Sequence, residues 1–162
     1  MTPDASEIYT SEIGDIEIAS CEGKIISCTF SALYSASDLT PDSSTNEACK
    51  QLKAYFNGSL KGFDLPLAYE GSDLQLRLMK MLEAIPYGET FSYQDMANKL
   101  ELPSGSRAVG NLVGKNPLLI IVPCHRVLGS NGKITGYAGG PDRKKWLLQH
   151  ELRFSHRAGT LF

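Results

Sequence analysis

The sequence predicts an α+β protein with a strand-rich N-terminal part and a helical C-terminal part that contains a helix-turn-helix. In the first part, polar and apolar residues alternate over residues 13–18, and Glu22-Gly23 forms a turn before a second apolar run. In the second part, apolar residues recur at helical spacing behind serine caps. The character of the chain changes at Gly71, so we predict two domains, residues 1–70 and 71–162.

The N-terminal elements follow from short local patterns. Residues 8–30 read as a hairpin or the start of a meander. Residues 35–45 form a polar loop, and a helix over residues 47–56 stops at Asn57-Gly58. Pro66 restricts residues 63–67 to an edge strand or an extended segment.

The C-terminal elements are predicted from their caps. Ser72 and Gln75 form a capping box that opens one helix, and Ser92 caps a short helix through Leu100. Ser104 is the predicted cap of a helix to Lys115, and two short helices joined by a tight turn indicate a helix-turn-helix. The last helix has its own predicted cap and inward-facing residues: Asp142, then Trp146, Leu147 and Leu148.

The net charge of −2 conceals a strong asymmetry along the chain. Residues 1–98 carry 6 basic and 15 acidic side chains, whereas residues 99–162 carry 10 basic and 3 acidic ones. The basic C-terminal part is suited to a polyanion, although a solvated basic face without a partner would give the same count. No apolar stretch is long enough to span a membrane, and the acidic N-terminus lacks the features of a signal peptide. Four cysteines without paired spacing are read as reduced thiols, so we expect a cytoplasmic protein, nucleoid-associated in a prokaryote.

The candidate catalytic residues lie at the end of an aliphatic run. Residues 116–127 pass from Asn116-Pro117 through five aliphatic residues to Pro123, which predicts either a strand buried on both faces or a buried connector. Cys124 follows directly and is a candidate nucleophile, with His125 as its base and Arg126 as a cation that favours the thiolate.

Adjacent side chains diverge on a strand or a helix, so we expect His125 to reach Cys124 through a water. Glu151 is our choice for the carboxylate that orients the imidazole, and the pKa of Cys124 should then lie below that of a free thiol. Two alternatives remain at this point. Cys124 could be an ordinary core residue, or a metal could bind Cys124, His125, His150 and His156, although that spacing fits no usual zinc pattern.

The second helix of the helix-turn-helix has unusually small side chains. Gly105 and Gly110 each cost a helix about 1 kcal/mol relative to alanine. Small residues allow another backbone to approach closely, and Arg107 projects from among them. The pattern suits a DNA groove with one probing side chain, and an ordinary surface arginine is the alternative.

Five motifs in order give the chain a family resemblance. They are residues 86–90 with Ser92-Tyr93, residues 107–110, Asn116-Pro117, residues 123–127 and residues 136–140. Together they resemble the O6-alkylguanine-DNA alkyltransferases (methylated-DNA–protein-cysteine methyltransferases), densely from about residue 71 to residue 151 and more weakly before that. The resemblance implies an N-terminal three-stranded antiparallel sheet with helices, of the ribonuclease H-like type. A helical domain follows, whose recognition helix enters the minor groove of double-stranded DNA.

The resemblance also implies roles for individual residues. Cys124 accepts the alkyl group, His125 activates it through water, Glu151 orients His125, and Asn116 braces the active-site turn. Tyr93 donates to guanine N3, and Arg107 replaces the extruded nucleotide in the stack. The base pocket is completed by Pro123, Val127, Tyr137 and Ala138. Other DNA contacts are implied for Ser106, Ala108, Gly110, Asn111 and Arg126.

The implied activity is direct-reversal DNA repair by a single-turnover transferase. An alkyl group on O6 of guanine, or on O4 of thymine, would move irreversibly to Cys124 after the nucleotide is flipped out of the duplex. The resemblance implies a monomer that needs neither cofactor nor metal. The sequence departs from the family at Glu101-Leu102, where a glycine-containing turn is common.

Three functions are compatible with these residues. The leading one is the repair transferase. A lesion-binding protein of the alkyltransferase-like kind is the second, and Cys124 argues against it because those relatives lack this cysteine. A transcription factor with a structural Cys124 is the third, and a glycine-rich helix with one arginine offers it little base readout.

Overall fold

The structure, a computed structural model, describes residues 1–34 and 37–155. The chain divides into two compact units, Met1–Tyr69 and Glu70–Phe162. The first is built on a sheet and the second on helices, as in the predicted α+β class. None of the described helices has the length and apolar character needed to cross a membrane.

The N-terminal unit is an antiparallel meander covered by one helix. Its strands, in the order β1-β2-β3, are Ala5–Ser11, Gly14–Cys21 and Lys24–Thr29. Helix α1, Ser43–Phe56, packs on this sheet, and its Leu52 and Tyr55 are fully buried, as are Ile16 and Ile18 of β2. This arrangement confirms the predicted three-stranded antiparallel sheet.

Two local predictions in this unit needed adjustment. Helix α1 begins four residues earlier than predicted, because Asp42 caps it by accepting a hydrogen bond of 2.8 Å from the Thr45 amide. The predicted polar loop is therefore shorter, and its residues 35 and 36 lie outside the described residues. The proline-containing segment is extended as expected, and Leu67 forms a parallel bridge with Ile25.

The C-terminal unit is helical with one short strand pair. Its helices are α2 Asp73–Glu83, α3 Tyr93–Lys99, α4 Ser106–Val113 and α5 Pro141–Ser155. Strands β4, Phe91–Ser92, and β5, Val127–Leu128, pair in parallel, which holds the start of α3 beside the single helical turn at Cys124–Arg126. The pairing was not predicted, because two-residue strands carry no periodicity.

The caps of these helices agree with the sequence analysis only in part. Ser92 caps α3 in a full capping box with Asp95, as its local pattern predicts. Ser104 does not cap α4: Gly105 occupies that position and offers no side chain. Helix α5 begins at Pro141, where the missing proline amide costs nothing, and Asp142 lies in its first turn. Leu147 is buried in α5, whereas Trp146 and Leu148 are only half-buried.

The turn of the helix-turn-helix keeps a glycine-like conformation without a glycine. Glu101 has φ +60°, in the left-handed region that favours glycine. Its amide donates to the Asn98 carbonyl (3.0 Å), and the Leu102 amide donates to the Ala97 carbonyl (2.8 Å). These two bonds form a Schellman motif, so α3 ends in the usual way at the expense of strain at Glu101.

Candidate active site

The aliphatic run before Cys124 is a buried connector made of consecutive tight turns, so the strand alternative is wrong. Buried Asn116 holds the turn from within. Its side-chain oxygen accepts from the Leu118 amide (2.9 Å), and its side-chain nitrogen donates to the carbonyl of Val122 (2.9 Å). The geometry agrees with the bracing role that the resemblance implies for Asn116.

Two γ-turns then set the direction of the backbone at Cys124. The Ile121 amide donates to the Leu119 carbonyl (2.8 Å) around Ile120, whose φ of +70° is a strained value for a β-branched residue. The Cys124 amide donates to the Val122 carbonyl (2.8 Å) around Pro123, whose φ of −80° and ψ of 61° fit the common inverse γ-turn. Strain of this kind persists only where the surrounding packing enforces it, and it concentrates at functional sites.

Cys124 is 3 % exposed, and its thiol lies in a low-dielectric setting. Burial raises the pKa of Cys124 to about 11, against opposing contributions from a hydrogen bond with Asn116 and the charge of Lys144. Burial therefore disfavours the thiolate of Cys124 in the free protein. This result is contrary to our expectation of a lowered pKa for Cys124. A base that receives the thiol proton is required before Cys124 can attack.

His125 is placed to be that base. It is fully buried, and its Nε2 lies 2.6 Å from Oε2 of Glu151. Burial lowers the pKa of His125, so the ring is neutral at neutral pH. A carboxylate partner requires Nε2 to carry the hydrogen, which leaves Nδ1 as an acceptor. Nδ1 is buried and has no hydrogen-bond partner among the described residues, so it is available to take a proton.

Glu151 accepts hydrogen bonds from several donors of the described residues. Besides His125, it accepts hydrogen bonds from Arg126 Nε (2.8 Å), from a terminal nitrogen of Arg126 (3.1 Å) and from the Gly88 amide (3.2 Å). Burial alone would raise the pKa of Glu151, but its hydrogen bonds with His125 and Arg126, together with the charge of Arg126, outweigh it and hold the pKa well below its usual range. Glu151 is therefore ionised and fixes the imidazole from behind.

Arg126, for which a DNA contact was predicted, lies buried beside the active-site turn. It is 6 % exposed, and its remaining terminal nitrogen donates to the carbonyl of Ile85 (2.6 Å). The guanidinium is occupied by Glu151 and this carbonyl, because helix α5 brings the carboxylate to the inner side of the turn. Its charge neutralises Glu151 and is not among the causes of the shift at Cys124.

Sequence reasoning missed Lys144, which lies fully buried in α5. Its Nζ lies 3.4 Å from the Tyr93 hydroxyl and 3.5 Å from the Gly136 carbonyl oxygen. In the sequence, three consecutive basic residues, Arg143, Lys144 and Lys145, suggest a solvent-exposed stretch of the helix. Only the apolar spacing of α5, with Leu147 three residues further on, could have singled out the middle one.

A cleft of about 1160 Å³ lies beside these groups, between α4 and the loop after β5. The predicted residues that line it are Tyr93, Ser106, Arg107, Gly110, Asn111, Tyr137 and Ala138. Gln94, Ser130, Asn131 and Thr135 also line it and were not predicted. Ala108 is exposed on α4 but does not line this cleft, while Pro123 and Val127 are buried next to Cys124.

The lack of a side chain has a different explanation at Gly105, before helix α4, than at Gly110 within it. A Cβ on Gly105 would lie 2.8 Å from the Leu102 Cβ and 2.9 Å from its carbonyl oxygen, so the turn itself requires glycine there. A Cβ on Gly110 would lie 3.8 Å from the Tyr93 ring, an ordinary contact. Internal packing thus explains Gly105, whereas the glycine at position 110 leaves room on the cleft side.

The metal alternative finds no support in the described part of the chain, where no group of three or more His, Cys, Asp or Glu side chains is placed to bind an ion. His150 stacks between Trp146 and Phe154, with ring centroids 4.8 Å from each. His156, the remaining ligand in that hypothesis, lies outside the described residues.

Comparison with known proteins places both units in one family. The family described as "6-O-methylguanine DNA methyltransferase, DNA binding domain" matches residues 73–153, and its "ribonuclease-like domain" matches residues 6–69. A methylated-DNA–protein-cysteine methyltransferase of Mycolicibacterium paratuberculosis is 51% identical over 115 residues, which are 71% of this chain and 70% of that protein. A protein of the same name from Methanosarcina acetivorans is 53% identical over 105 residues, 65% of this chain and 67% of that one.

Solved structures agree over nearly the whole chain. The crystal structure of Mycobacterium tuberculosis OGT in complex with DNA matches with a TM-score of 0.85 and 42% identity, covering 93% of this chain and 94% of that one. The crystal structure of Mycobacterium tuberculosis O6-methylguanine methyltransferase matches with the same TM-score and 40% identity, covering 95% of each chain. With both units matched in their order along the chain, this protein belongs to the 6-O-methylguanine-DNA methyltransferase family of methylated-DNA–protein-cysteine methyltransferases.

Proposed function

We propose that this protein repairs O6-alkylguanine in double-stranded DNA by moving the alkyl group irreversibly to its own Cys124, one group per protein molecule. The alkylated nucleotide is flipped out of the duplex before the transfer, and O4-alkylthymine is a second substrate. Family membership supports the coarser part of this proposal, a DNA-repair methyltransferase. The finer part is argued from the site.

The observation that carries the proposal is the unpartnered Nδ1 of a neutral, fully buried His125 whose Nε2 is fixed by Glu151. An ordinary core histidine would have both ring nitrogens satisfied, because an unpaired buried polar atom costs about 1–3 kcal/mol. A bare acceptor on the residue after a buried thiol suits the transfer of a proton from that thiol. A structural cysteine has no need of such a base.

The proton travels through a water, since the side chains of adjacent residues diverge. Burial raises the pKa of Cys124, so the thiol stays protonated until His125 takes its proton. The thiolate therefore forms as part of the transfer step. The thiolate then attacks the alkyl carbon, and the bond from that carbon to O6 breaks. The purine keeps that electron pair and takes a proton from solvent to become guanine, while His125 returns its proton to solvent. The resulting thioether is stable, and the described residues offer no group that could remove it, so each molecule reacts once.

The depth of the thiol requires an extruded base. Cys124 is 3 % exposed, and a guanine inside a duplex could not bring its O6 to that sulfur. Tyr93, Tyr137 and Ala138 line the cleft. We expect Pro123 and Val127, which are buried next to Cys124 in the chain, to complete the pocket for the flipped base. An alkylated guanine pairs poorly, which lowers the free energy needed to flip it and gives the lesion an advantage over normal bases.

Helix α4 supports extrusion by approaching the minor groove. Ser106, Ala108 and Gly110 present little bulk, and Asn111 offers a polar side chain at the same surface. Arg107 is exposed and lines the cleft, so its long side chain can fill the gap that the flipped nucleotide leaves in the stack. All of these groups come from one chain, so a monomer is sufficient, and in a prokaryote it acts at the nucleoid.

The test is the intact mass of the protein after incubation with a duplex that contains one O6-methylguanine. We expect one added methyl group per molecule, located on Cys124 by peptide mapping, and no addition to Cys124→Ser. Cys21→Ser is the matched control and should be labelled normally. Labelling at Cys28 or Cys49 would contradict the assignment, and burial raises the pKa of both of these thiols.

Binding of the lesion without any mass change would indicate a lesion-binding protein instead. Cys124→Ser should still bind the alkylated duplex, because the cleft and helix α4 are unchanged by that substitution. Equal affinity of the wild type for alkylated and normal duplexes, with no mass change, would favour the transcription-factor alternative.

A further inference from the structure

A short turn directly after helix α2 contacts the buried ion pair of Arg126 and Glu151. The Ile85 carbonyl oxygen accepts a hydrogen bond of 2.6 Å from Arg126. The guanidinium lies over the Tyr87 ring, with its carbon 5.6 Å from the ring centroid. The Gly88 amide donates to Glu151 Oε1 at 3.2 Å. One stretch of four residues thus supplies an acceptor, a ring face and a donor to the same ion pair.

The conformation of this turn depends on Gly88. The Glu89 amide donates to the Pro86 carbonyl oxygen (3.1 Å), which closes a β-turn of four residues. Gly88 is the third of these residues and has a φ of +79°, the value expected in a type II turn. Residues with a Cβ seldom adopt this φ, so another residue at this position would favour a type I turn, whose third residue has a negative φ.

The type of turn decides which group faces Glu151. The two types differ mainly by a rotation of about 180° of the central peptide, which here joins Tyr87 to Gly88. In the type II turn the Gly88 N–H points at the carboxylate. In a type I turn the Tyr87 carbonyl oxygen would point there instead, and two groups that can only accept hydrogen bonds repel each other. The glycine therefore determines whether the turn stabilises the Glu151 charge or opposes it.

The two carboxylate oxygens of Glu151 have different partners. Oε1 accepts from Arg126 Nε (2.8 Å) and from the Gly88 amide. Oε2 accepts from His125 Nε2 (2.6 Å) and from a terminal nitrogen of Arg126 (3.1 Å). Holding Oε1 in place keeps Oε2 against the imidazole. The Nε2 hydrogen of His125 then stays on the side of Glu151, and Nδ1 remains the acceptor for the thiol proton.

A contact with helix α5 also requires a glycine at position 88. A Cβ on Gly88 would lie 2.7 Å from the Ser155 Cβ and 2.8 Å from the Ser155 hydroxyl oxygen. The two requirements can be separated by mutation. Ser155→Gly would remove both of these atoms, whereas the requirement for a positive φ at Gly88 would remain.

We propose that residues 85–88 form a positioning turn for the proton relay, in which Gly88 directs its N–H at Glu151 and thereby holds the carboxylate against His125. This inference rests on the proposed function. It deepens that function by making the direction of one backbone peptide a condition for an active base.

The test uses variants made in a Ser155→Gly parent, in which a Cβ at position 88 has room. Gly88→Ala opposes the positive φ, whereas Gly88→Asn tolerates it better, because asparagine is enriched in the left-handed region. Gly23→Ala in the same parent is the matched control. Gly23 has a φ of +78°, a Cβ there would meet no atom within 4 Å, and it lies in the N-terminal unit.

Two measurements report on the relay. The first is the rate at which free O6-benzylguanine labels Cys124 at each pH, which involves no DNA. The second is the nitrogen-15 NMR spectrum of protein with labelled histidines, which shows which ring nitrogen of His125 carries the hydrogen. The chain has three histidines, so the His125→Ala variant is sufficient to identify the signals of this ring.

We expect Gly88→Ala to slow labelling on the order of 10-fold near neutral pH, because the base is misplaced but not removed. Burial lowers the pKa of His125 and the charge of Glu151 raises it, while Arg126 and Lys144 lower it further. A displaced carboxylate therefore makes the ring a weaker base, and the pH profile should move to higher pH. Part of the Nε2 hydrogen should move to Nδ1. Gly88→Asn should lose less, and Gly23→Ala should match the parent in both measurements.

A Gly88→Ala variant with the pH profile and ring protonation of its parent would overturn the inference, and so would an equal change in Gly23→Ala. If Gly88→Ala does not fold, hydrogen exchange of the Gly88 amide in the wild type decides. Exchange as fast as that of an unprotected amide would show that Glu151 does not hold it. A wild type that O6-methylguanine DNA does not label would contradict the repair function, while the histidine spectrum would still test the turn.

Discussion

The contacts of Glu151 with His125 and Arg126 predict that Glu151→Gln lowers both stability and activity, and that a second substitution at Arg126 restores only the stability. Glu151 is 1 % exposed and is the only carboxylate of the described residues that pairs with Arg126. The substitution leaves a buried guanidinium without its counter-charge, and breaking a buried pair in this way costs about 3–5 kcal/mol. Glutamine keeps one carbonyl oxygen for Arg126, so we expect the lower end, about 3 kcal/mol.

Trp146 makes this loss measurable. It is the single tryptophan of the chain and lies in α5, so its fluorescence in a urea titration reports on the C-terminal unit. We expect a lower urea midpoint without a large change in the slope, and a melting temperature lower by about 6–12 °C for a chain of this length. Glu89→Gln, at an exposed position, is the control and should unfold like the wild type.

The repair rate should fall together with the stability, for a different reason. Without the carboxylate, His125 Nε2 is no longer held as a donor, and the loss of an oriented general base costs on the order of 100-fold in rate. Adding Arg126→Met removes the unpaired charge, so the double variant should regain most of the stability while its rate stays low. A Glu151→Gln protein with wild-type stability, or a double variant with restored activity, would refute this reasoning.

Four further predictions follow from the site and the helix-turn-helix. Arg107→Ala should slow repair of a duplex far more than reaction with free O6-benzylguanine, because only the duplex requires extrusion; equal losses would assign Arg107 to general binding. His125→Ala should move the pH profile of labelling by O6-benzylguanine to higher pH, because burial raises the pKa of Cys124 to about 11 and the variant lacks the base that takes the thiol proton; an unmoved profile would exclude the relay. Glu101→Gly should raise the free energy of unfolding by about 0.5–1 kcal/mol by relieving its positive φ, whereas Glu101→Ala should not. The native pKa values of His125 and Glu151 are both lowered, so the unfolded state binds more protons in acid; the stability of the C-terminal unit should fall below about pH 6.5, and continue to fall below about pH 4.5, in urea titrations at each pH.

Much of the fold could be predicted from local patterns. Alternation over residues 13–18 identified a strand of the meander, and the Ser92 cap located α3. Both patterns act between residues a few positions apart, so they are complete in the sequence itself. The helix-turn-helix was predicted in the same way, although Gly105 and not Ser104 is the cap residue of α4, at a position where the turn leaves no room for a Cβ.

The proximity of the candidate nucleophile and its candidate base was also visible in the sequence. Cys124 and His125 are adjacent, and Glu151 was chosen as the carboxylate that orients the imidazole, which the structure places 2.6 Å from His125. The sequence did not show which groups the side chains of Arg126 and Lys144 contact. One was assigned to DNA and lies buried against Glu151, and the other was passed over in a basic run and lies buried beside Tyr93.

The difference has a physical reason. A cap, an alternation or an adjacent pair depends on backbone geometry over a few residues, and the sequence by itself determined these features. The direction of a long charged side chain depends on what packs around it. Arg126 turns inward because α5, about 25 residues further along the chain, brings a carboxylate to the active-site turn, and Lys144 turns inward because β4 and β5 hold Tyr93 beside that turn. Only the tertiary structure could decide which cations of the basic C-terminal part are buried and which groups they contact.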